Sequence, residues 1–386
     1  MKVAIVHDWL TTVGGAEHVL AELLSLFPQA ELFTVVDTLP LQYRSWLEGH
    51  AMHTSFIQRM PFGRENYRRY LPLMPLAVEQ FDLRGFDLIL SSSHAVAKGV
   101  LVGPDQLHIS YVHSPMRYAW DMQHAYLEEA GLTKGIRGLF SRIFLHQLRL
   151  WDSRTANGVD HFIANSRFIA RRIEKAYRRK AEVIYPPVDT TFFTPDEGKR
   201  EDFYITASRL VPYKRIDLLI ETFRDLPGRR LIIAGEGPEG NRLRRMAPPN
   251  VEFIGRCDRE QLRQLMRQAR AFLYAAEEDF GIVIVEAQAC GCPIIAYGRG
   301  GATETVIAHG QGFSRCPHPD PGATGLLYHE QNCVSLKQAI MDFEENMDAI
   351  NPAQCRTHAE SFSREHFRDR IQSFIQAKLQ AWQDQL

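Results

Sequence analysis

Two carboxylates, Glu278 and Glu286, stand eight positions apart on either side of Gly281. The apolar run Ala271–Ala275 before them predicts a strand, and the run Ile284–Cys290 predicts a helix that stops at Gly-Cys-Pro. In open α/β sheets, ligands bind at the carboxyl ends of strands, and helix N-termini attract phosphate. Carboxylates at such a point suit a ligand that has both hydroxyls and phosphates, such as a sugar nucleotide. Solvated or helix-capping glutamates are the alternative.

Two cations, Arg209 and Lys214, follow the predicted strand Phe203–Ser208, and Pro212 between them indicates a loop. Positive groups at a strand end could neutralise the diphosphate of a leaving nucleotide. Ordinary solvated surface charge is the alternative.

Gly14 and Gly15 follow the first predicted strand, Lys2–Val6, and open a predicted helix over Gly15–Phe27. Glycines there would let a phosphate approach the backbone closely, although a plain turn has the same composition.

Gly235 and Gly237 belong to a G-x-G-x-x-G sequence after the predicted strand Arg230–Ala234, the context of a dinucleotide fingerprint. Pro238 stiffens the middle of this turn, and the motif does not open the first unit of the chain. We therefore favour a glycine-rich loop near a donor nucleotide over a nicotinamide site, and the dehydrogenase remains an alternative.

His113 comes directly after the predicted strand His108–Val112, where it could bond a sugar hydroxyl or stabilise charge. His94 is a second histidine at a strand end. A satisfied structural histidine is the alternative for both.

These residues need an alternating framework, and the sequence supplies two series of strands and helices joined by a polar segment over 194–202. We predict an α/β chain with an N-terminal domain over 1–195, a second domain over 196–365, and a ligand cleft between them. A terminal helix over about 366–386 is expected to pack back onto the first domain. The remaining predicted strands are Glu31–Val36, Asp87–Ser91, His161–Ala164, Val251–Ile254 and Pro293–Ala296.

The overall composition is that of an ordinary globular chain of 386 residues, with a net charge of −1 that gives no reason to expect nucleic-acid binding. Six cysteines, including Cys316, show no CxxC spacing, so reduced thiols and a cytoplasmic location are expected. The start of the chain indicates a strand rather than a signal peptide, and no stretch reaches 18 apolar residues.

Two basic stretches with interleaved apolar residues, 56–70 and 134–151, could lie on an anionic membrane surface or meet a lipid-linked acceptor. A core-facing helix with a solvated face is the alternative for each.

Taken in order along the chain, these motifs resemble the retaining glycosyltransferases of family 4, which have the GT-B fold of two facing Rossmann-like domains. Gly300-Gly-Ala-Thr-Glu304 belongs to the same series, and the resemblance covers nearly the whole chain. The sequences over 111–121 and 277–281 resemble most the mannosyltransferase branch of bacterial surface-polysaccharide and O-antigen (lipopolysaccharide) assembly.

The resemblance implies a role for each candidate residue of the second domain. Arg209 and Lys214 would hold the donor diphosphate, which makes a metal ion unnecessary, and Glu278 would bond the sugar hydroxyls. Glu286 would accept bonds from the ribose. The backbone over Phe280, Gly281, Ile282 and Val283 would touch sugar and phosphate, next to Gly235 and Gly237. One departure is a doubled acid, and Glu278 rather than Glu277 has the spacing of eight to Glu286.

In the first domain, the resemblance implies that His113 contacts the donor sugar and that Gly14 and Gly15 border the diphosphate. The implied reaction moves a sugar, with mannose from GDP-mannose as the first choice, onto a saccharide acceptor that is expected to be lipid-linked. No cofactor or metal is expected. A transferase for UDP-hexoses, a sugar-nucleotide epimerase and a non-catalytic scaffold are the alternatives.

Overall fold

The structure is a computed structural model and describes residues 1–309 and 322–384, so that Cys316 lies outside the described residues. The chain divides into two compact units, Met1–Pro187 with Phe367–Leu386, and Val188–His366. Each unit contains one parallel sheet and its helices, which confirms the predicted α/β fold class with two Rossmann-like sheets.

The first unit contains seven strands: β1 Val3–His7, β2 Glu31–Thr34, β3 Met52–Thr54, β4 Leu88–Ser93, β5 Leu107–Val112, β6 His161–Ala164 and β7 Ala181–Val183. They form one parallel sheet in the order β3-β2-β1-β4-β5-β6-β7. Strands β1, β4 and β5 are buried at every position, as expected for parallel strands covered on both faces.

The helices of this unit are α1 Gly15–Leu26, α2 Met74–Glu79, α3 Gln123–Glu129, α4 Gly135–Thr155 and α5 Arg167–Tyr177. Leu20 and Leu24 of α1 lie in the same core cluster as Phe367, Ile371 and Ile375 of the terminal helix. The C-terminal segment of the chain is therefore part of the core of the first unit.

The second unit contains six strands: β8 Phe203–Ala207, β9 Arg230–Ala234, β10 Val251–Gly255, β11 Ala271–Tyr274, β12 Ile294–Tyr297 and β13 Gly325–Tyr328. They form a parallel sheet in the order β10-β9-β8-β11-β12-β13. Its helices are α6 Ile216–Arg224, α7 Gly240–Met246, α8 Arg259–Gln268, α9 Ile282–Ala289, α10 Ala302–Thr305, α11 Cys333–Glu345 and α12 Pro352–Glu360, and α13, Arg364–Gln383, follows.

Both sheets reverse their strand order at one point, between β1 and β4 in the first sheet and between β8 and β11 in the second. Loops that leave the two strands on either side of a reversal diverge and open a crevice at the carboxyl edge, where open α/β sheets bind ligands. The loops after β1, β4, β8 and β11 are thus the segments in which a functional site is expected.

Candidate active site

Lys214 and Glu278 lie side by side at the switch point of the second sheet. Lys214 ends a short 3₁₀ turn in the loop after β8, and Glu278 lies in the loop after β11. Lys214 Nζ donates to Glu278 Oε1 at 2.5 Å and to the Tyr274 hydroxyl at 2.8 Å, and the paired side chains are only 13% and 15% exposed. Burial lowers the pKa of Lys214, but the neighbouring groups, Tyr274 and Glu278 foremost, raise it by a larger amount. The net shift of the pKa is upward, so Lys214 stays a cation.

Arg209 lies in the same loop, on the other side of the 3₁₀ turn, and its side chain is exposed. Within the described part of the chain its guanidinium has neither a hydrogen bond nor an ion pair. The loop after β8 therefore presents one cation that is held by a carboxylate and one that is open to a ligand.

Gly235 and Gly237 determine the path of this loop. A Cβ at Gly235 would stand 1.9 Å from Ser208 O, and one at Gly237 would stand 2.3 Å from Leu210 O, so only glycine allows these backbones to approach. The two glycines thus position the segment that carries Arg209, and a direct contact with the donor stays a prediction.

The loop that carries Glu278 is fixed by a second close approach. Gly301 N donates to Glu278 O at 2.7 Å, and a Cβ at Gly300 would stand 2.2 Å from the same oxygen. Gly281, with φ of +87°, is the N-cap residue that directly precedes α9. The ring of Phe280 is buried, with its centroid 5.5 Å from that of Phe362, so any donor contact of Phe280 would be made by its backbone, and that contact stays a prediction.

Ile282 and Val283 form the first turn of α9, and both are half-buried. Their backbone N–H groups belong to the free N-terminal set of a helix, the kind of group that binds phosphate.

Glu286, one turn further along α9, carries a carboxyl group whose acidity is strongly shifted. Burial raises the pKa of Glu286 to about 7, with Arg259 lowering it and Asp189 raising it. Arg259 Nη2 donates to Asp189 Oδ2 at 2.7 Å, which commits much of its charge to that carboxylate. Glu286 is therefore a half-buried acceptor whose charge changes near neutral pH.

In the first unit, His113 lies at the end of β5 in a row of side chains at the carboxyl edge. Ser92 Oγ lies 2.8 Å from His113 Nε2 and 3.1 Å from His7 Nδ1, and His7 Nε2 lies 3.6 Å from Glu17 Oε1. Burial lowers the pKa of His113 well below its usual value, and His94 and His7 lower it further. His113 is thus a neutral imidazole with one ring nitrogen held by Ser92.

Asp8 ties the two loops of the first switch point together. Its two carboxylate oxygens accept the backbone N–H groups of His94, Ala95, Val96 and Ala97 at 2.6–3.0 Å. The same carboxylate lies 3.0 Å from Nδ1 of His94, whose pKa is lowered mainly by burial. A carboxylate that is fully buried and saturated in this way fixes the loop after β4.

Gly14 caps α1, and its N–H donates to Glu17 Oε2 at 2.8 Å. Burial raises the pKa of Glu17, but His7, His94 and a backbone hydrogen bond together lower it more, so an ionised carboxylate already occupies this helix start. The predicted contact of Gly14 and Gly15 with a diphosphate stays a prediction.

A depression of about 530 Å³ lies beside these residues and is lined by Thr11, Asp37, Thr38, Leu39, Arg44, Arg64, Glu65 and Tyr67. The ring of Tyr67 stands 5.3 Å from that of Trp9, which in turn contacts the His94 ring edge to face. Arg44 is paired with Asp37 at 2.8 Å, and the aromatic, hydroxyl and charged groups of the lining are of the kinds that contact a saccharide.

The sequence prediction missed the supporting residues of both sites, His7, Asp8, Glu17 and Ser92 in the first unit and Asp189, Arg259 and Tyr274 in the second. For His7, Asp8 and Ser92 the usable signal is a polar residue that follows the apolar part of a predicted strand. In residues 1–309 and 322–384, no group of three His, Cys, Asp or Glu side chains is arranged to hold a metal ion.

Family models match almost the entire length of the chain. Residues 188–362 match "Glycosyl transferases group 1", and residues 13–192 match "Glycosyltransferase Family 4". The chain is built from two glycosyltransferase domains. The boundary between the two matches falls within a few residues of the division between the compact units at Pro187.

Two curated relatives support this assignment. One is the D-inositol 3-phosphate glycosyltransferase of Mycolicibacterium smegmatis, 29% identical over 245 residues, which are 57% of this chain and 53% of that protein. The other is a GDP-mannose-dependent monoacylated α-(1-6)-phosphatidylinositol monomannoside mannosyltransferase of Corynebacterium glutamicum, 30% identical over 253 residues, which are 57% of this chain and 63% of that protein. The alignments thus span little more than half the length of these relatives.

Among solved structures, HepE of Anabaena in complex with UDP and glucose is similar, with a TM-score of 0.68 and 19% identity, over 97% of this chain and 99% of that one. This similarity identifies the fold as GT-B.

Proposed function

We propose that this glycosyltransferase moves a hexosyl group from a nucleotide sugar to a saccharide acceptor, with retention of anomeric configuration. The observation that carries the proposal is the Lys214–Glu278 pair at the switch point of the second sheet, beside the open cation Arg209. An acceptor for hydroxyls and donors for phosphate are brought together there by two loops that are 64 residues apart in sequence.

In this proposal, Arg209 and Lys214 bind the donor diphosphate and stabilise the charge that develops as it leaves. Glu278 is held by Lys214 with one oxygen and accepts sugar hydroxyls. Glu286 accepts the ribose hydroxyls, and backbone N–H groups of α9 complete the phosphate contacts. The predicted roles of His113, Gly14 and Gly15 belong to the same proposal.

The proposed donor is GDP-mannose, supported by the mannosyltransferase relative of Corynebacterium glutamicum. A UDP-hexose is the second candidate, because HepE has been crystallised with UDP and glucose. A sugar-nucleotide epimerase would convert either donor without an acceptor, which makes acceptor dependence the discriminating property.

The proposed acceptor is a lipid-linked saccharide in surface polysaccharide synthesis. The name of the Corynebacterium relative describes a mannosylated phosphatidylinositol as its acceptor, and the depression beside Trp9 and Tyr67 offers groups that suit a saccharide. A cytoplasmic location fits a donor of this class.

Retention without a carboxylate nucleophile would proceed by attack on the face from which the diphosphate leaves, with the leaving phosphate taking the acceptor proton. The positive charge of Arg209 and Lys214 would take the part that a metal ion takes elsewhere, so we propose that no cofactor or metal is required.

The first test is a donor panel of GDP-mannose, UDP-glucose, UDP-GlcNAc and NADH, with thermal shift and sugar release measured with and without EDTA. A ligand that binds the native state raises its melting temperature. Selective stabilisation by GDP-mannose, unchanged by EDTA, is expected. Stabilisation by NADH alone would overturn the proposal in favour of a dehydrogenase.

The second test removes the cations. Lys214→Ala and Arg209→Ala should each lower kcat by about 10²–10³-fold, the usual cost of one preorganised charge-stabilising group. Lys337→Ala and Arg230→Ala are matched controls, because both cations are partly or largely exposed in the same unit, each beside one carboxylate. Near-parental turnover in a folded Lys214→Ala protein would refute this assignment.

A further inference from the structure

Helix α4 presents large apolar side chains on the side away from the core. Ile136, Leu139, Phe140 and Ile143 are each between 50% and 75% exposed, and Leu150 is 54% exposed. At 3.6 residues per turn these positions form one stripe, roughly 100° wide and about 20 Å long. We call this stripe the outer face of α4.

The opposite side of α4 is firmly attached to the first unit. Leu145 and Leu148 lie in a core cluster of that unit, and Asp152 is fully buried in an ion pair with Lys98 at 2.8 Å. Trp151 Nε1 donates to Glu79 Oε1 at 2.7 Å. Helix α4 therefore has apolar residues on two opposite sides. One side packs on the core of the unit, and this packing holds the outer face in a fixed position.

Only positive charge surrounds this face in the sequence. Lys134, Arg137, Arg142 and Arg149 are the charged residues between Ala130 and Trp151, and no Asp or Glu occurs there, whereas the whole chain has a net charge of −1. Lys134, Arg137 and Arg142 are exposed. Apolar residues flanked by cations match an anionic lipid surface, in which the acyl boundary takes the apolar stripe and the headgroups take the cations.

We propose that the outer face of α4 docks on the surface of an anionic phospholipid bilayer, with the helix lying in the plane of the interface. No helix among the described residues is long and apolar enough to cross a membrane. A second copy of the chain is a poorer partner, because pairing two outer faces would bring like charges together. This surface deepens the proposal of a lipid-linked acceptor, but it does not depend on it.

The other basic stretch, 56–70, has no comparable face. Ile57 and Tyr67 are buried, and the apolar residues that remain exposed there, such as Phe62, do not follow a helical repeat. It therefore supplies matched controls in the same unit.

The experiment is flotation of the whole protein with vesicles that contain no donor and no acceptor. Phosphatidylcholine vesicles are compared with vesicles that also contain phosphatidylglycerol. We expect flotation with the anionic vesicles only. Flotation should be weaker in about 0.5 M salt, because salt at this concentration screens the attraction between the cations and the headgroups.

Two double variants test the two parts of the face. Lys134→Glu with Arg137→Glu should weaken partitioning by at least ~30-fold, and the new carboxylates at the start of α4 favour the helix dipole, so unfolding would not explain the loss. Ile136→Ser with Phe140→Ser should weaken it by about tenfold or more. The matched controls, Phe62→Ser and Arg68→Glu with Arg69→Glu, should float like the parent.

Three results would overturn the proposal: a parent that stays unbound with anionic vesicles, α4 variants that float like the parent, or loss of flotation in the controls instead. A parent dimer that the α4 variants abolish in sedimentation equilibrium would assign the face to a second copy and would also overturn it. Donor hydrolysis is measured for every variant, and its retention separates failure of this surface from failure of the proposed glycosyl transfer.

Discussion

The pH dependence of donor use should be determined by Glu286. A carboxylate is an acceptor only, whereas a carboxylic acid must use one oxygen as a donor, so under the proposed role of Glu286 only the ionised form would accept both ribose hydroxyls. Since burial raises the pKa of Glu286 to about 7, this group changes charge within the working range of the protein. Donor binding should weaken as the pH falls through 7.

The size of the effect follows from this pKa. A group with a pKa of about 7 is ~91% ionised at pH 8 and ~9% ionised at pH 6, so kcat/KM for the donor should fall about tenfold across that range. Burial lowers the pKa of His113 well below its usual value, and the pKa of Lys214 is raised, so neither group would produce a transition near pH 7.

The assay measures kcat/KM for GDP-mannose from about pH 5.5 to about pH 8.5, which is roughly 1.5 pH units on either side of that pKa. This parameter is chosen because kcat/KM reports ionisation in the free enzyme. Glu286→Gln should give a flat profile and a value about tenfold or more below the parent at high pH. Arg259→Ala should move the midpoint upward, because Arg259 lowers the pKa of Glu286. A variant of exposed Glu252, Glu252→Gln, serves as the matched control.

Two outcomes would refute this reasoning. A parent profile that is flat through pH 7 would show that Glu286 does not titrate there or does not bind the donor. A tenfold slope that persists in Glu286→Gln would assign the titration to a different group.

The remaining predictions concern the first unit and the framework. Asp8→Asn should lower the free energy of unfolding by about 2–4 kcal/mol in a urea titration, because a carboxamide oxygen cannot accept four backbone N–H groups, and an unchanged midpoint would contradict this. Lys98→Met should cost about 3–5 kcal/mol in the same titration by leaving Asp152 buried without its cation, and Lys98→Met with Asp152→Asn should recover part of that loss. Ser92→Ala should lower kcat/KM about fivefold with little effect on the urea midpoint. That effect should vanish in a His113→Ala background, and its persistence there would disprove the positioning role.

Local spacing was enough to single out Glu278 and Glu286 as candidates, although it missed the residues that surround them, Asp189, Arg259 and Tyr274. Glu278 and Glu286 belong to one strand–loop–helix unit, whose geometry depends on about fifteen consecutive residues. The structure shows Glu277 exposed and Glu278 paired with Lys214, so the spacing of eight selected the glutamate that contacts the predicted cation. A pattern of this kind can be recognised in the sequence because it does not depend on residues that are distant along the chain.

The row Glu17, His7, Ser92 and His113 could not be predicted in this way. Its members come from four elements, α1, β1, β4 and the end of β5, which adjoin only because β1, β4 and β5 are neighbours in the sheet, with His7 and Ser92 85 residues apart. Strand order is set by long-range packing, which periodicity does not contain. The edge strands β3, β7 and β13 were missed for a related reason, since segments of three or four residues carry too few positions to show an alternation.

The two switch points have the same topology and opposite electrostatic character. In the first unit, the carboxylate of Asp8 is saturated by backbone N–H groups, and His113 is a neutral, half-buried imidazole. In the second unit, Lys214 remains a cation even when paired, and Arg209 is open. A diphosphate requires positive charge and a hydroxyl requires only a neutral partner. The charge distribution therefore supports the proposal that the nucleotide binds to the second unit, and it leaves to the first unit groups suited to hydroxyls rather than phosphate.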